Sequence, residues 1–401
     1  MKSNSLPIFS EVKAAAPPPP GLPFLRLGFR PFYLGGALLA ALIVPLWVAL
    51  FMGLVQFAPS VSPLLWHAHE MLFGFAVAII VGFLMTAGKA WTGLPTPRGP
   101  WLGAMALLWL AARVTAVVGP YGVYAMLDLA LLPLVAGILV SLLLQSRNYR
   151  NLPLALILAL LALANLLFHL TAMGVLSLPA ITPLYAALAL VVMMLCVMGG
   201  RVIPAFTMAV TPGLKLVTHV WLERITLGAT GLGLALWVFA APGWVTLLVL
   251  AIASGLHARR LAGWHPKLAL KRPILWILHA SYAWIPVGLG LLALAQVGLV
   301  AVSAGVHALA VGALGGIILG MITRTARGHT GRPLMVTRAE VLAYALVLSA
   351  AVLRVVVPLV LPSLYMASLL GAAIAWSVAF LIYLWIFTPW LMQTRLDGKD
   401  G

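Results

Sequence analysis

The chain has 401 residues, 64% of them hydrophobic and 8% charged, with a formal net charge of +17. A soluble domain carries roughly 25% charged residues, so this composition excludes one and specifies an all-α polytopic integral membrane protein. The single cysteine, Cys196, excludes an internal disulfide, a four-cysteine iron–sulfur cluster and a haem attached through Cys-x-x-Cys-His.

Residues 1–30 lack an apolar core followed by a small-residue cleavage site, so no signal peptide is expected. They read as a disordered cytoplasmic arm, stiffened at the run Pro17 to Pro20. Apolar stretches of about 20 residues, the length a helix needs to span a bilayer, then recur about twelve times. They fall near 31–54, 64–87, 101–118, 121–145, 152–173, 179–199, 223–241, 243–261, 274–296, 299–322, 338–357 and 361–393. The expected organisation is a transmembrane domain over 31–393 and a short cytoplasmic tail over 394–401.

The basic residues test that count. Alternate connections hold Lys89 and Arg98; Arg147 and Arg150; Arg201, Lys215 and Arg224; Arg259 to Arg272; and Arg324 to Arg338. The intervening connections hold no lysine or arginine. Cytoplasmic loops carry the basic excess, which places both termini and all the basic loops inside. The high net charge is therefore an orientation signal with affinity for anionic lipid headgroups, and no nucleic-acid partner is expected.

All but two of the 24 lysines and arginines obey this rule; Arg113 and Arg354 lie inside spans, towards the outer surface. Asp128 of the fourth span lies at a similar depth, and its ion pair with Arg113 is the plain structural reading.

The second span opens with Trp66-His67-Ala68-His69-Glu70. Ionisable groups inside a membrane face the protein interior and are functional candidates by default. His169 of the fifth span, one turn after Asn165, and His307 of the tenth also lie in the outer half. With a rise of 1.5 Å per residue, all four histidines fall within roughly 12 Å of the outer edge. Four imidazoles on three helices form a ligand set for haem iron or copper; buried polar residues bonded to the backbone are the plain alternative.

His67 and His69 are two residues apart, a turn of about 200° on a helix, so their rings point to opposite sides. They are expected to divide two centres rather than chelate one metal. Glu70, three residues after His67, is a candidate acceptor for the ring of His67. Arg113 and Arg354 suit haem propionates. On the inner side His257 and His279 form a weaker candidate pair, while His219, His265 and His329 are expected on basic surface loops. Ala304, Ala308, Gly312, Gly316 and Gly320 form a small-residue stripe that favours close helix packing. Met193, Met194 and Met198 suit copper(I), but serve packing more readily in a hydrophobic span.

At this point the chain resembles the NnrS family, bacterial inner-membrane proteins of the nitric oxide response. The resemblance rests on Phe24 to Tyr33 (FLRLGFRPFY), Trp66 to Phe75 (WHAHEMLFGF), Arg201 to Thr207, Leu278 to Trp284, His307 to Gly312, and Met321 to Leu334. It implies a multi-pass protein containing haem, non-covalent and b-type in the absence of a Cys-x-x-Cys-His motif, and copper. It implies nitric oxide or another small diatomic as ligand, and an electron donor it does not name. It does not say which histidine holds which metal, nor whether nitric oxide is bound or reduced by a metallo-oxidoreductase. His279 lies within one of the matching blocks. A twelve-span secondary transporter is the alternative, since intramembrane Arg, Asp and Glu also suit one.

Overall fold

The computed structural model describes residues 21–56, 59, 61–217 and 219–399. Within them are twelve helices long and apolar enough to cross a membrane. They are α1 (Phe29–Phe51), α2 (Pro63–Thr92), α3 (Pro100–Val118), α4 (Tyr121–Gln145), α5 (Tyr149–Ala172) and α6 (Ile181–Ala209). The second half comprises α7 (Val220–Phe239), α8 (Trp244–Ala262), α9 (Pro273–Ala295), α10 (Val302–His329), α11 (Arg338–Val360) and α12 (Pro362–Met392). Among the described residues there is no strand.

Local signals set several boundaries. Proline opens α2, α3, α9 and α12, where its missing N–H costs nothing and its fixed φ suits the first helical turn. Gly93, with φ of 70°, ends α2 in the left-handed conformation that only glycine adopts freely. Thr337 and Glu340 form a reciprocal capping box at the start of α11. Glu340 also takes two hydrogen bonds from Arg327, at 2.8 and 2.5 Å.

Two spans run past their apolar windows. α6 continues to Ala209, so Arg201 lies on a helix rather than in a connection, and α10 continues to His329. His329 is thus helical, with its ring 5.4 Å from Phe29, rather than on a surface loop. Hydropathy alone misses such extensions because their polar residues are paired: Arg324 sits 3.6 Å over the ring of Phe206.

Residues 1–20 of the expected arm, with the proline run, lie outside the described residues. Residues 21–30 lie against the bundle: Gly99 N–H donates to the Leu25 carbonyl at 2.7 Å. The buried Arg30 guanidinium donates to the carbonyls of Leu391 and Gln393 at 2.7 and 2.8 Å. A helix end leaves carbonyls unsatisfied, and Arg30 supplies them at the end of α12. α1 and α12 are further joined by Trp376 Nε1, which donates to the Ala40 carbonyl at 3.0 Å.

α2 and α10 are the inner helices, with 78% and 72% of their apolar windows buried against 61% or less elsewhere. The expected stripe on α10 serves packing: Gly312, Gly316 and Gly320 face Trp284, Ser281 and Leu278 of α9 so closely that a Cβ would collide. Three segments are π-helical among the described residues: Glu70–Ala76 in α2, Ala308–Gly315 in α10 and Val352–Val356 in α11. Each directly follows a candidate histidine or contains Arg354, and such segments occur disproportionately at functional sites.

Candidate functional site: two polar centres on either side of α2

The two-residue step from His67 to His69 sends the rings to opposite faces of α2. His69 turns towards α4 and α5, its ring centroid 4.6 Å from Phe168 and 4.8 Å from Phe73 of its own helix. His67 turns towards α1 and stacks on Trp47 at 4.4 Å. Each ring enters a separate cluster of polar residues, all at the end of the bundle away from the basic connections.

The first cluster is fully buried. His69, Glu70, Arg113, Asp128, Asn165 and His169 are each no more than 6% exposed. One oxygen or nitrogen from each of His69, Asp128 and His169 lies within 4.8 Å of the others. Arg113 ion-pairs with Asp128 and also donates to Glu70 Oε1 at 2.7 Å. The expected Arg113–Asp128 pair is therefore present, and the expected link between Glu70 and His67 is not. Glu70 instead meets Arg113 and, at 3.4 Å, His69 Nδ1.

The hydrogen-bond network assigns the ring protons. Asn165 Nδ2 donates to Asp128 Oδ2 at 2.6 Å, which orients Asn165 Oδ1 to accept from His69 Nε2 at 3.0 Å. His169 Nε2 donates to Asp128 Oδ2 at 3.1 Å. Both Nδ1 atoms then accept from tyrosine hydroxyls at 2.9 Å, Tyr124 to His69 and Tyr121 to His169. Tyr121, Tyr124 and Asp128 are spaced at three and four residues, which puts them on one face of α4. That spacing was visible in the sequence, and these tyrosines are the members of the cluster that the histidine count missed.

Charge is left over. One guanidinium faces two carboxylates, so with neutral imidazoles the buried cluster carries one net negative charge. Such a charge in a low-dielectric interior is balanced either by a bound cation or by a proton on His69, whose two ring nitrogens lie 3.4 Å from Glu70 Oε1 and 3.3 Å from Asp128 Oδ2. Two imidazoles and a carboxylate are a donor set that copper(II), iron and zinc all accept. A metal at the two Nε2 atoms requires the ring protons on Nδ1, where the tyrosine oxygens can turn from donor to acceptor. The residues fit a metal of this class.

The second cluster is more open. His307 Nδ1 donates to the Ser303 carbonyl at 2.7 Å, an oxygen that can only accept, so Nε2 keeps a free lone pair. His67 Nδ1 is buried without a partner. Arg354 interacts electrostatically with both rings and reaches Ser303 Oγ at 3.4 Å. No carboxylate pairs with it among the described residues. An unneutralised guanidinium beside two available imidazoles fits a flat, anionic, metal-bearing group such as haem.

His279 belongs to neither cluster. Its Nε2 meets Thr207 Oγ1 at 3.0 Å, and because that hydroxyl donates to the Ile203 carbonyl, the ring nitrogen is the donor. The other nitrogen is buried and unpartnered. His257 is separate again, bridging Tyr282 at 2.6 Å and Thr230 at 2.9 Å. The expected His257–His279 pair shares no hydrogen bond.

The fold and the buried cluster beside α2 define a polytopic helical membrane protein with an internal histidine–carboxylate centre. The NnrS protein family model matches residues 23–395, nearly the whole chain, and the chain belongs to that family. A comparison with curated proteins finds no match.

Proposed function

We propose that this is a haem- and copper-binding membrane protein of the nitric oxide response, with copper in the His69–Asp128–His169 cluster and haem at His67 and His307. The observation that carries the assignment is the division at α2, where His69 enters a closed cluster bearing two carboxylates and His67 a more exposed one beside the Arg354 guanidinium. Bound haem iron and copper supply one-electron chemistry and affinity for nitric oxide. Tyr121 and Tyr124 orient the two imidazoles of the closed cluster. Arg113 holds Glu70 and Asp128 in place, and the surrounding Phe73 and Phe168 rings keep water out. In the second cluster Trp47 supports the His67 ring, and Arg354 would receive a propionate of bound haem. The proposed setting is a bacterial inner membrane, with both termini cytoplasmic by the positive-inside rule, these centres in its outer half and an electron donor completing the system.

The test is an absorbance spectrum with metal analysis on purified protein and four variants. His67→Ala and His307→Ala are expected to lose or shift the Soret band and keep copper. His69→Ala and His169→Ala are expected to lose copper and keep the band. Wild-type protein without haem and copper after expression with both supplied sinks the reading, and loss of the two together in every variant sinks the partition.

A further inference from the structure

Gly74 lies in the π-helical segment of α2, where side chains of α1 and α3 close on the backbone. A Cβ added there would come within 2.6 Å of Leu39 Cδ2 from α1, 3.0 Å of Glu70 Oε2 and 3.2 Å of Arg113 Nη1 from α3. Its carbonyl accepts from Trp109 Nε1 at 3.0 Å. Glycine inside a helix is less stable than alanine, so its place here needs a physical reason.

Trp109 and Arg113 lie one turn apart on α3, and Glu70 and Gly74 about one turn apart on α2. The two helices therefore meet at two points: Trp109 on the Gly74 carbonyl and Arg113 on the Glu70 carboxylate. The second point sets how Arg113 is shared. Its Nη1 donates to Glu70 Oε1 and its Nη2 pairs with Asp128 Oδ1. Asp128 Oδ2 is left facing the ring nitrogens of His69 and His169 at 3.3 and 3.1 Å. A guanidinium driven off Glu70 has Asp128 as its remaining carboxylate and would take both of its oxygens, the two-bond geometry that arginine favours.

We propose that Gly74 is a positioning residue of the closed cluster: its bare backbone lets the Arg113 guanidinium reach Glu70, and this keeps Asp128 Oδ2 turned towards His69 and His169 as a metal ligand. The assignment rests on the metal reading of that cluster and adds the residue that decides which Asp128 oxygen Arg113 occupies.

Copper affinity and the copper(II) paramagnetic resonance spectrum are the first readouts, on Gly74→Ala, Leu39→Ala and the double variant. Gly74→Ala is expected to weaken copper binding by about tenfold or more, the usual effect of disturbing a group that orients a ligand, and to change the spectrum. Leu39→Ala removes the packing conflict and leaves the one with Glu70 and Arg113. Alone it is expected to bind copper as the wild type does, and the double variant is expected to keep the loss. Full recovery in the double variant, or wild-type affinity and spectrum in Gly74→Ala, would overturn the proposal and leave the metal assignment standing. Absence of copper from the wild-type protein would defeat the metal assignment instead. Metal-free protein then decides the positioning alone. Glu70→Gln keeps the shape and removes the charge, so Gly74→Ala is expected to lower the unfolding midpoint less in that background than in the wild type. Equal shifts in the two backgrounds refute it.

Discussion

Arg113 holds together the charges of the closed cluster, and its loss has the most readable consequence. In the Arg113→Gln protein two buried carboxylates lose their common partner. Breaking a buried pair in this way costs about 3–5 kcal/mol, so thermal unfolding in detergent is expected at a clearly lower temperature. The double variant Arg113→Gln with Glu70→Gln is expected to recover part of that loss. Of this cluster, the histidines, Asp128 and Arg113 were legible in the sequence, because charge inside an apolar span stands out. The opposed directions of His67 and His69 were legible too, from helical geometry alone. The partner of Glu70 was not. Spacing of three residues brings it near His67 along the helix, but the Arg113 guanidinium from α3 draws its carboxylate away, and one chain's spacing does not show which helix meets α2 there.

Among helices, the three π segments do what the spacing of residues could not show. A π turn inserts one extra residue, which rotates everything before it relative to everything after it. In α2 this sets the His67–His69 pair apart from the apolar stretch that fixes the helix in the bundle. Trp109 takes up the Gly74 carbonyl within the segment at 3.0 Å. Deleting Met71 restores regular α-helical count and turns the histidines by about 100° relative to the rest of α2. The deletion variant is expected to keep its helical circular dichroism and lose bound copper. A copper content equal to wild type would show that the π segment does not position the ring. The residues of these three segments share no sequence signal for such a turn, whereas the span count did follow from apolar length. The small-residue stripe of α10 was legible as a packing surface, and α9 is the helix it packs against.

For the whole molecule, the distribution of basic residues makes a sidedness prediction. A cysteine introduced at Val175, in the connection from α5 to α6, is expected to react with an impermeant maleimide in intact spheroplasts. One at Ser146, between α4 and α5, is expected to react only after permeabilisation. Cys196 is buried and gives no background. The reverse pattern would invert the protein and place both centres on the cytoplasmic side. The number of spans was legible at this scale, while the pairing of helices was not. One chain's periodicity says which face of a helix is apolar and nothing about which helix meets it.

The separation of the two clusters by α2 also separates them in time during synthesis. Every residue of the closed cluster, from His69 to His169, comes from α2 to α5. Those four helices end at Ala172, within the first half of the 401-residue chain. The open pocket needs His307 and Arg354 from α10 and α11, and α1 is not fastened to α12 until Arg30 meets the carbonyls of Leu391 and Gln393. On the proposed assignment, copper delivery can therefore begin on a ribosome-bound chain, whereas haem insertion would wait for the last helices to arrive.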